Sequence, residues 1–498
     1  MTTRPSPSRR PQASPQPVGL SFDQGTLLLT GVARPFIERV WPGDLWVHDS
    51  RHQNATERVD RDALPNDPPS DQPGWRTDAL HYRRVASDLN RTLAGGDWID
   101  NVPLWSEVAY PTPKLHPPRP DQEAAIDAWM VNRNGVIVMP TGTGKTEVAL
   151  HAIVRCRCAT LVVSPVRDLM YQWHSRILAA TRIDAGIIGD GVHRVSPVSV
   201  TTYDSAAIHM PRIGNRFELI VFDECHHLPG PMRQDAARMS AAPFRMGLTA
   251  TPDRRDGNHV LLDDLIGPRV YSQAIASARG KTLAQYDVHR IAVHLSDDER
   301  ARYESLGRIV RDYIALRRKD EPEYDWQSLC SDSGRDVGAR SAMKAFHAKR
   351  SIEDRAEEKL RIIEDLFRLH AGEPVIVFCG SNAMARDVST RFLIPCLLSH
   401  CRKRERQEIL AGLREGRYPA LVANRVLDEG VDLPEVNVAI VIGGGSGTRQ
   451  AIQRLGRVLR KNAFGRACFY EIVTAGTRDE QRSRDRRRSD AFTGNRKK

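Results

Sequence analysis

The spacing of apolar positions changes several times along the chain. Residues 1–18 carry Pro, Ser and Arg with few apolar side chains, the pattern of a disordered leader. From Gly19, the run Leu-Ser-Phe-Asp-Gln-Gly-Thr-Leu-Leu-Leu-Thr-Gly predicts a short hairpin with its turn at Gly25. A small mixed module is expected over 19–89, broken by a loop at 64–74, and 90–111 reads as a linker. From Leu115 the rhythm becomes apolar strand, short loop, helix, with strand-like runs at 135–139, 160–164, 198–202, 219–222 and 245–249. It resumes at 374–379, 420–423 and 438–442, and a helical stretch rich in Arg, Glu and Ala fills 296–366. Strands that alternate with helices predict parallel sheets covered by helices, an α/β fold class. The expected architecture is two parallel-sheet domains, 112–285 and 367–476, with the helical element between them and a basic, disordered tail at 477–498.

Composition adds three constraints. The 498 residues, 40% hydrophobic and 27% charged, suit two to four globular domains. No apolar run approaches the roughly 20 residues that span a bilayer, and the N-terminus lacks an apolar signal segment. No membrane association and a cytoplasmic location are therefore expected. The eight cysteines are thinly spread. Neither Cys156-x-Cys158 nor the Cys396/Cys401 pair has a second half that completes a zinc site, so ordinary structural cysteines are expected. The net charge is +11, of which the last 21 residues supply +5 from nine basic and four acidic side chains. A basic balance favours a polyanionic partner.

The strand at 135–139 runs into Met139-Pro-Thr-Gly-Thr-Gly-Lys-Thr146 and then a helix, the setting of a phosphate-binding loop. Gly142 and Gly144 let backbone N–H groups converge on phosphate oxygens, with Pro140, Thr141 and Thr143 completing the loop. Lys145 is placed to reach the β/γ-phosphates and the Thr146 hydroxyl to ligate Mg²⁺, and the helix N-terminus adds partial positive charge. Met139 stands where the general pattern has Gly. Further on, Leu219-Ile-Val-Phe-Asp-Glu-Cys-His reads as an apolar strand ending in two carboxylates. Asp223 can hold Mg²⁺ and Glu224 can polarise an attacking water. ATP and Mg²⁺ are the expected cofactors, with Lys145 and Glu224 catalytic.

Together these residues resemble the superfamily 2 helicases, and further stretches resemble that family's motifs in order. Arg119-Pro-Asp-Gln122 resembles the adenine-reading motif, although Asp121 stands where many relatives carry an aromatic. Ser164-Pro-Val-Arg-Asp-Leu with Gln172-Trp173 resembles motif Ia, and Val200-Thr-Thr-Tyr-Asp-Ser resembles motif Ib. Pro165, Arg167, Thr201, Thr202 and Tyr203 are accordingly expected to contact the nucleic-acid backbone. Leu248-Thr-Ala-Thr-Pro resembles the motif that couples nucleotide state to nucleic-acid binding. Asn424-Arg-Val-Leu-Asp-Glu-Gly-Val-Asp-Leu-Pro resembles motif V, which implies nucleic-acid contact by Asn424 and nucleotide contact by Gly430 and Asp432. Gln453-Arg-Leu-Gly-Arg-Val-Leu-Arg resembles motif VI, where Arg449, Gln453, Arg457 and Arg460 share one helix face. Gln453 and the fingers Arg457 and Arg460 are then catalytic across a cleft between two RecA-like domains that ATP closes.

Within the helicases, Gly186-Ile-Ile-Gly-Asp-Gly and the triplet Arg254-Arg-Asp256 resemble the XPB-type DNA repair helicases, with Arg255 in place of their Glu. Arg254 is an expected nucleic-acid contact on this ground. The stretch 296–366 sits where that family has its thumb-like element, and 19–89 resembles its damage-recognition domain. The resemblance covers about 112–474 strongly. It implies a 3′-to-5′ DNA helicase or duplex translocase acting in DNA repair or genome defence. Two alternatives stay open: an RNA helicase, because the motifs address backbone, and an ATPase subunit that drives a partner nuclease or repair assembly. His48, Asp49, His52 and Asp60 lack a metal-ligand spacing, so no nuclease is expected within residues 1–110.

Overall fold

The structure, a computed structural model, describes residues 17–43, 45–49, 74–93, 97–140, 142–250, 252, 256–273, 286–398, 400–424, 436–443 and 467–486. The chain divides into two compact units, Met1–Ile137 with Thr146–Tyr271, and Val138–Lys145 with Ser272–Lys498.

The first unit begins with a five-stranded sheet in the order β3-β4-β2-β1-β5. Its strands are β1 (Val18–Asp23), β2 (Thr26–Thr30), β3 (Val47–Asp49), β4 (Gly74–Asp78) and β5 (Trp98–Asn101), accompanied by α1 (Arg34–Val40) and α2 (Tyr82–Thr92). β1 and β2 form the hairpin expected around Gly25, whose φ of 87° needs a residue without Cβ. Trp41, Trp46 and Trp75 pack with Leu20, Leu27 and Leu29 in its core. The stretch 90–111, read as a linker, instead supplies β5, which pairs parallel with β1, and buries Val102 in the same core. Four residues with one half-buried side chain carry too little alternation to announce a strand.

The second sheet runs β13-β6-β12-β11-β7-β10-β8-β9. The elements follow α3 (Pro120–Met130), β6 (Asn134–Val138), α4 (Lys145–Cys156), β7 (Thr160–Ser164), α5 (Arg167–Thr181), β8 (Gly186–Gly189), β9 (Val192–His193), β10 (Val198–Thr202), α6 (Tyr203–Ile213), β11 (Leu219–Asp223), α7 (Asp235–Arg238), β12 (Phe244–Thr249), α8 (Leu261–Leu265) and β13 (Arg269–Ser272). β7, β10, β11 and β12 are mutually parallel and almost wholly buried, as apolar runs covered on both faces require. Their registers align Thr202 with Ser164 and Asp223 with Leu248, so these strand ends share one edge.

The N-terminal module attaches at the opposite edge. Arg83 donates to the Asn132 carbonyl at 2.8 Å just before β6, Asn215 donates to the Val102 carbonyl at 2.9 Å just before β11, and Arg238 pairs with Asp78 at 3.0 Å. Arg245, at the start of β12, is fully buried, which pulls its pKa down to about 9 and still leaves it charged at neutral pH. It donates to the carbonyls of Ala237, Ser240, Ala242 and Leu265 and so fastens α7 and α8 to the sheet.

The second unit holds a six-stranded parallel sheet, β14-β19-β18-β15-β17-β16. Its elements are β14 (Tyr286–Val293), α9 (Asp297–Arg317), α10 (Trp326–Asp332), α11 (Val337–Asp354), α12 (Glu357–Leu369), β15 (Val375–Cys379), α13 (Asn382–Phe392), β16 (Cys396–Leu397), α14 (Lys403–Arg414), β17 (Ala420–Ala423), β18 (Val438–Ile442), β19 (Ala467–Thr474) and α15 (Arg478–Arg486). β14 precedes the helical stretch yet pairs with β19, and α12 buries Ile363 and Leu366 under the sheet. The helices α9–α11 are therefore an insertion within this domain, which begins near 286 rather than 367.

Residues 478–486 also depart from the expected disordered tail, while 487–498 lie outside the described residues. They form α15, which buries charge: Asp479 and Lys359 pair at 2.9 Å with neither side chain exposed. Arg482 meets Glu353 at 2.7 Å and Ser483 donates to Glu471 at 2.7 Å. Burial opposes the charge on Asp479, but the Lys359 ammonium and its hydrogen bond prevail and hold the carboxyl below its ordinary pKa. Its stabilising contribution is thus complete above the unfolded value of about 4 and fades as the pH falls through the lower folded value. Asp479→Asn strands a buried ammonium, and the urea unfolding free energy is expected to fall by about 3–5 kcal/mol at neutral pH. A loss under about 1 kcal/mol would show that the pair is not buried as described.

Candidate ATP-hydrolysis site

β6 delivers the chain directly into the phosphate-loop sequence, and α4 starts at Lys145. Gly142 and Gly144 take φ values of 87° and 78°, the left-handed conformations that glycine adopts without strain and that turn backbone N–H groups inward. Within the loop, the Thr143 hydroxyl donates to the Pro140 carbonyl at 2.7 Å, and Lys145 Nζ donates to the Met139 carbonyl at 3.3 Å. Met139, where Gly is usual, is fully buried and joins the loop through that carbonyl. Thr146 follows in the first turn of α4. Thr141 lies outside the described residues.

Asp223 ends β11 and is almost fully buried. Its Oδ1 accepts from the Glu224 N–H at 3.0 Å and its Oδ2 from Trp173 Nε1 at 2.8 Å, while its carbonyl accepts from the Tyr203 hydroxyl at 3.0 Å. Glu224 has φ 47° and ψ 54°, a left-handed conformation that costs a non-glycine residue about 1–3 kcal/mol and recurs at functional sites. It opens the 3₁₀ turn Cys225–His227. Fully buried His226 faces both neighbours through Nδ1, 3.0 Å from the Thr249 hydroxyl and 3.4 Å from Glu224 Oε2. Thr249 ends β12, so the Asp-Glu-Cys-His turn is tied to the Leu248-Thr-Ala-Thr-Pro segment by a side-chain bond. Cys225 packs where a Cβ on Gly247 would come within 3.1 Å of its sulfur. A small, polarisable side chain suits that gap.

Around the same strand edge, the motif Ia and Ib stretches are cross-tied. Ser164 donates to the Thr201 carbonyl at 3.1 Å. The turn Gly189-Asp190-Gly191, with φ values of 134°, 54° and 77°, presents Asp190 to Arg167 at 2.6 Å and to the Tyr171 hydroxyl at 2.9 Å. Pro165 is buried and Arg167 is exposed. Thr201 and Tyr203, expected to touch nucleic acid, instead have fully buried side chains. The Thr201 hydroxyl donates to Ile188, the Tyr203 hydroxyl to Asp223, and Thr202 caps α6 by accepting from the Ser205 N–H. Of this group only Arg167 presents an exposed charged head.

The remaining expected residues are spread over other elements. Gln122 is buried, and its amide oxygen accepts from the Arg119 N–H at 3.0 Å, closing the N-terminus of α3. Arg119 also lies 3.4 Å from Asp121. Asn424 donates to Asn382 at 2.6 Å beyond β17. Arg254, Gly430, Asp432, Gln453, Arg457 and Arg460 lie outside the described residues. Spacing gave no signal for the roles of Trp173 and Tyr203 beside Asp223. The sequence marks them only as members of the motif Ia and Ib stretches.

Comparison with known proteins accords with this geometry. Residues 115–254 match the family described as "Type III restriction enzyme, res subunit", and residues 358–462 match "Helicase conserved C-terminal domain". The chain is 41% identical over 367 residues to the "DNA 3'-5' translocase XPB2" of Sulfurisphaera tokodaii, covering 74% of this chain and 83% of that one. The chain belongs to the XPB family. A second XPB relative, the "DNA 3'-5' helicase XPB" of Kineococcus radiotolerans, is 31% identical over 384 residues, or 74% of this chain and 62% of its own. The helicase domain of Pyrococcus furiosus Hef superposes with a TM-score of 0.55 at 17% identity, over 74% of this chain and 98% of its own, and so shares the fold. Like these XPB relatives, the chain is an ATP-dependent helicase-class enzyme.

The His226–Thr249 bond yields a test. In a double-mutant cycle with His226→Ala and Thr249→Val, the unfolding free energies should be non-additive by about 0.5–1.5 kcal/mol. Additivity within about 0.3 kcal/mol would remove the tie between these two segments.

Proposed function

We propose that this XPB-family enzyme hydrolyses ATP at the phosphate loop and the Asp223–Glu224 turn and uses the cycle to move 3′-to-5′ on DNA. The observation that carries the reading is the Asp-Glu-Cys-His turn itself. Buried Asp223 ends a parallel strand, half-buried Glu224 follows in a strained left-handed turn, and His226 bonds this turn to Thr249 at the end of β12. The donor set fits a nucleotide with Mg²⁺: a carboxylate at Asp223, a hydroxyl at Thr146, and glycines with positive φ in the loop. Bound with the nucleotide, Mg²⁺ would neutralise charge developing on the β- and γ-phosphates. The loop N–H groups and Lys145 then bind and orient the triphosphate. Asp223, fixed by three hydrogen bonds, holds its carboxylate ready for the ion. Glu224 orients the attacking water and takes its proton at a carboxylate oxygen. The names of these two XPB relatives support DNA as the track, and the basic net charge of +11 suits a polyanion.

Lys145→Ala and Glu224→Gln should each lower ATP turnover by at least about a hundredfold, and full turnover in both would overturn the site assignment. The substrate is tested by measuring ATPase rates with duplex DNA, single-stranded DNA and RNA at several salt concentrations. DNA stimulation that weakens steeply as salt rises is expected, because bound phosphates release counterions. Stimulation by RNA alone would contradict the DNA assignment. DNA stimulation without directional movement on the strand would instead favour a subunit that drives a partner.

A further inference from the structure

We propose that Trp173 and Tyr203 are positioning residues that hold Asp223 for the nucleotide-bound metal, and that they relay DNA contact at the strand-end loops to that carboxylate. The inference rests on the reading of Asp223 as the metal-holding group. Neither residue's role follows from the helicase motifs, which place both stretches on the nucleic-acid side.

Trp173 lies on α5, and only 2% of it is exposed. An indole Nε1–H can only donate, and here it donates to Asp223 Oδ2 at 2.8 Å. Tyr203 opens α6, is fully buried, and donates its hydroxyl to the Asp223 carbonyl at 3.0 Å. With Oδ1 accepting from the Glu224 N–H at 3.0 Å and Oδ2 from the indole, two donors orient the carboxylate, while Tyr203 holds the backbone of the same residue. Groups that orient a metal ligand in this way typically govern metal affinity by 10- to 100-fold.

Both residues also belong to elements that begin at the strand edge. Arg167, in the first turn of α5, is exposed and reaches Asp190 in the β8–β9 turn, and Tyr171 reaches the same carboxylate. Trp173 lies six residues on from Arg167, about 9 Å along a rigid helix. Tyr203 follows Thr202, the N-cap of α6. A phosphate drawn to Arg167 competes with Asp190 for its guanidinium. Any shift of α5 that results is felt at the indole, whose hydrogen-bond geometry with Asp223 tolerates little change. The two helices converge on one carboxylate from separate loops, which makes a contiguous physical route between the sites.

The test uses the full chain with Trp173→Phe, Tyr203→Phe and Asp223→Asn. Mn²⁺ binding in the presence of ADP is followed by electron paramagnetic resonance, and thermal melting is recorded for each variant. Trp173→Phe and Tyr203→Phe should weaken Mn²⁺ binding by about 10-fold and reduce the ratio of DNA-stimulated to basal ATPase. Asp223→Asn should weaken Mn²⁺ binding further. If Asp223→Asn binds Mn²⁺ as the parent does, the metal reading itself fails. If Asp223→Asn weakens binding while both aromatic variants bind within about twofold of the parent and keep their stimulation ratio, the positioning role is overturned. Should Trp173→Phe melt below the assay temperature, Tyr203→Phe, which removes a single oxygen, decides the question alone.

Discussion

The hydrogen bonding of one carboxylate organises the first unit of this chain. Asp223 sits where an apolar strand reaches the sheet edge, a place where a buried charge must be paid for by donors. Three groups meet that demand: the Glu224 N–H and Trp173 Nε1 on the carboxylate, and the Tyr203 hydroxyl on the carbonyl. These bonds tie α5 and α6 to the end of β11, where Glu224 follows in a left-handed turn. That turn in turn brings His226 to Thr249. Removing a charge-bearing acceptor from such a network costs more than any one bond in it, because the remaining donors lose their partners.

The same edge of the sheet carries the exposed Arg167 just beyond β7. The N-terminal module is bonded to the opposite edge, through Arg83, Asn215 and Arg238. The first unit thus separates its chemistry from its attached module by the length of the strands. In the second unit, charge rather than apolar surface fastens the last helix, through Lys359, Asp479, Arg482 and Glu353.

Much of this was legible in the sequence, because parallel strands buried on both faces read as continuous apolar runs. The stretches at β6, β7, β10, β11 and β12 stand within a residue or two of where alternation places them. The phosphate loop and the two carboxylates were legible because their chemistry depends on contiguous residues. β5 was not, since four residues with little burial have no measurable period. α15 was missed because Arg-Asp-Glu-Gln-Arg-Ser-Arg-Asp-Arg has no apolar face. It folds by pairing buried charges with residues over a hundred positions away. Thr201 and Tyr203 are expected to contact nucleic acid because their stretch resembles motif Ib. Their hydroxyls are consumed inside by partners 13 and 20 residues distant. Trp173 was invisible for the same reason, its acceptor lying 50 residues along the chain.

The account stands most directly on where the catalytic metal sits. A crystal structure of the protein soaked with Mn²⁺ and a non-hydrolysable ATP analogue would locate it by anomalous scattering. The peak should lie between the Thr146 hydroxyl and the Asp223 carboxylate, with Trp173 Nε1 still on Oδ2. A nucleotide seated at the phosphate loop with its metal remote from Asp223 would contradict the account.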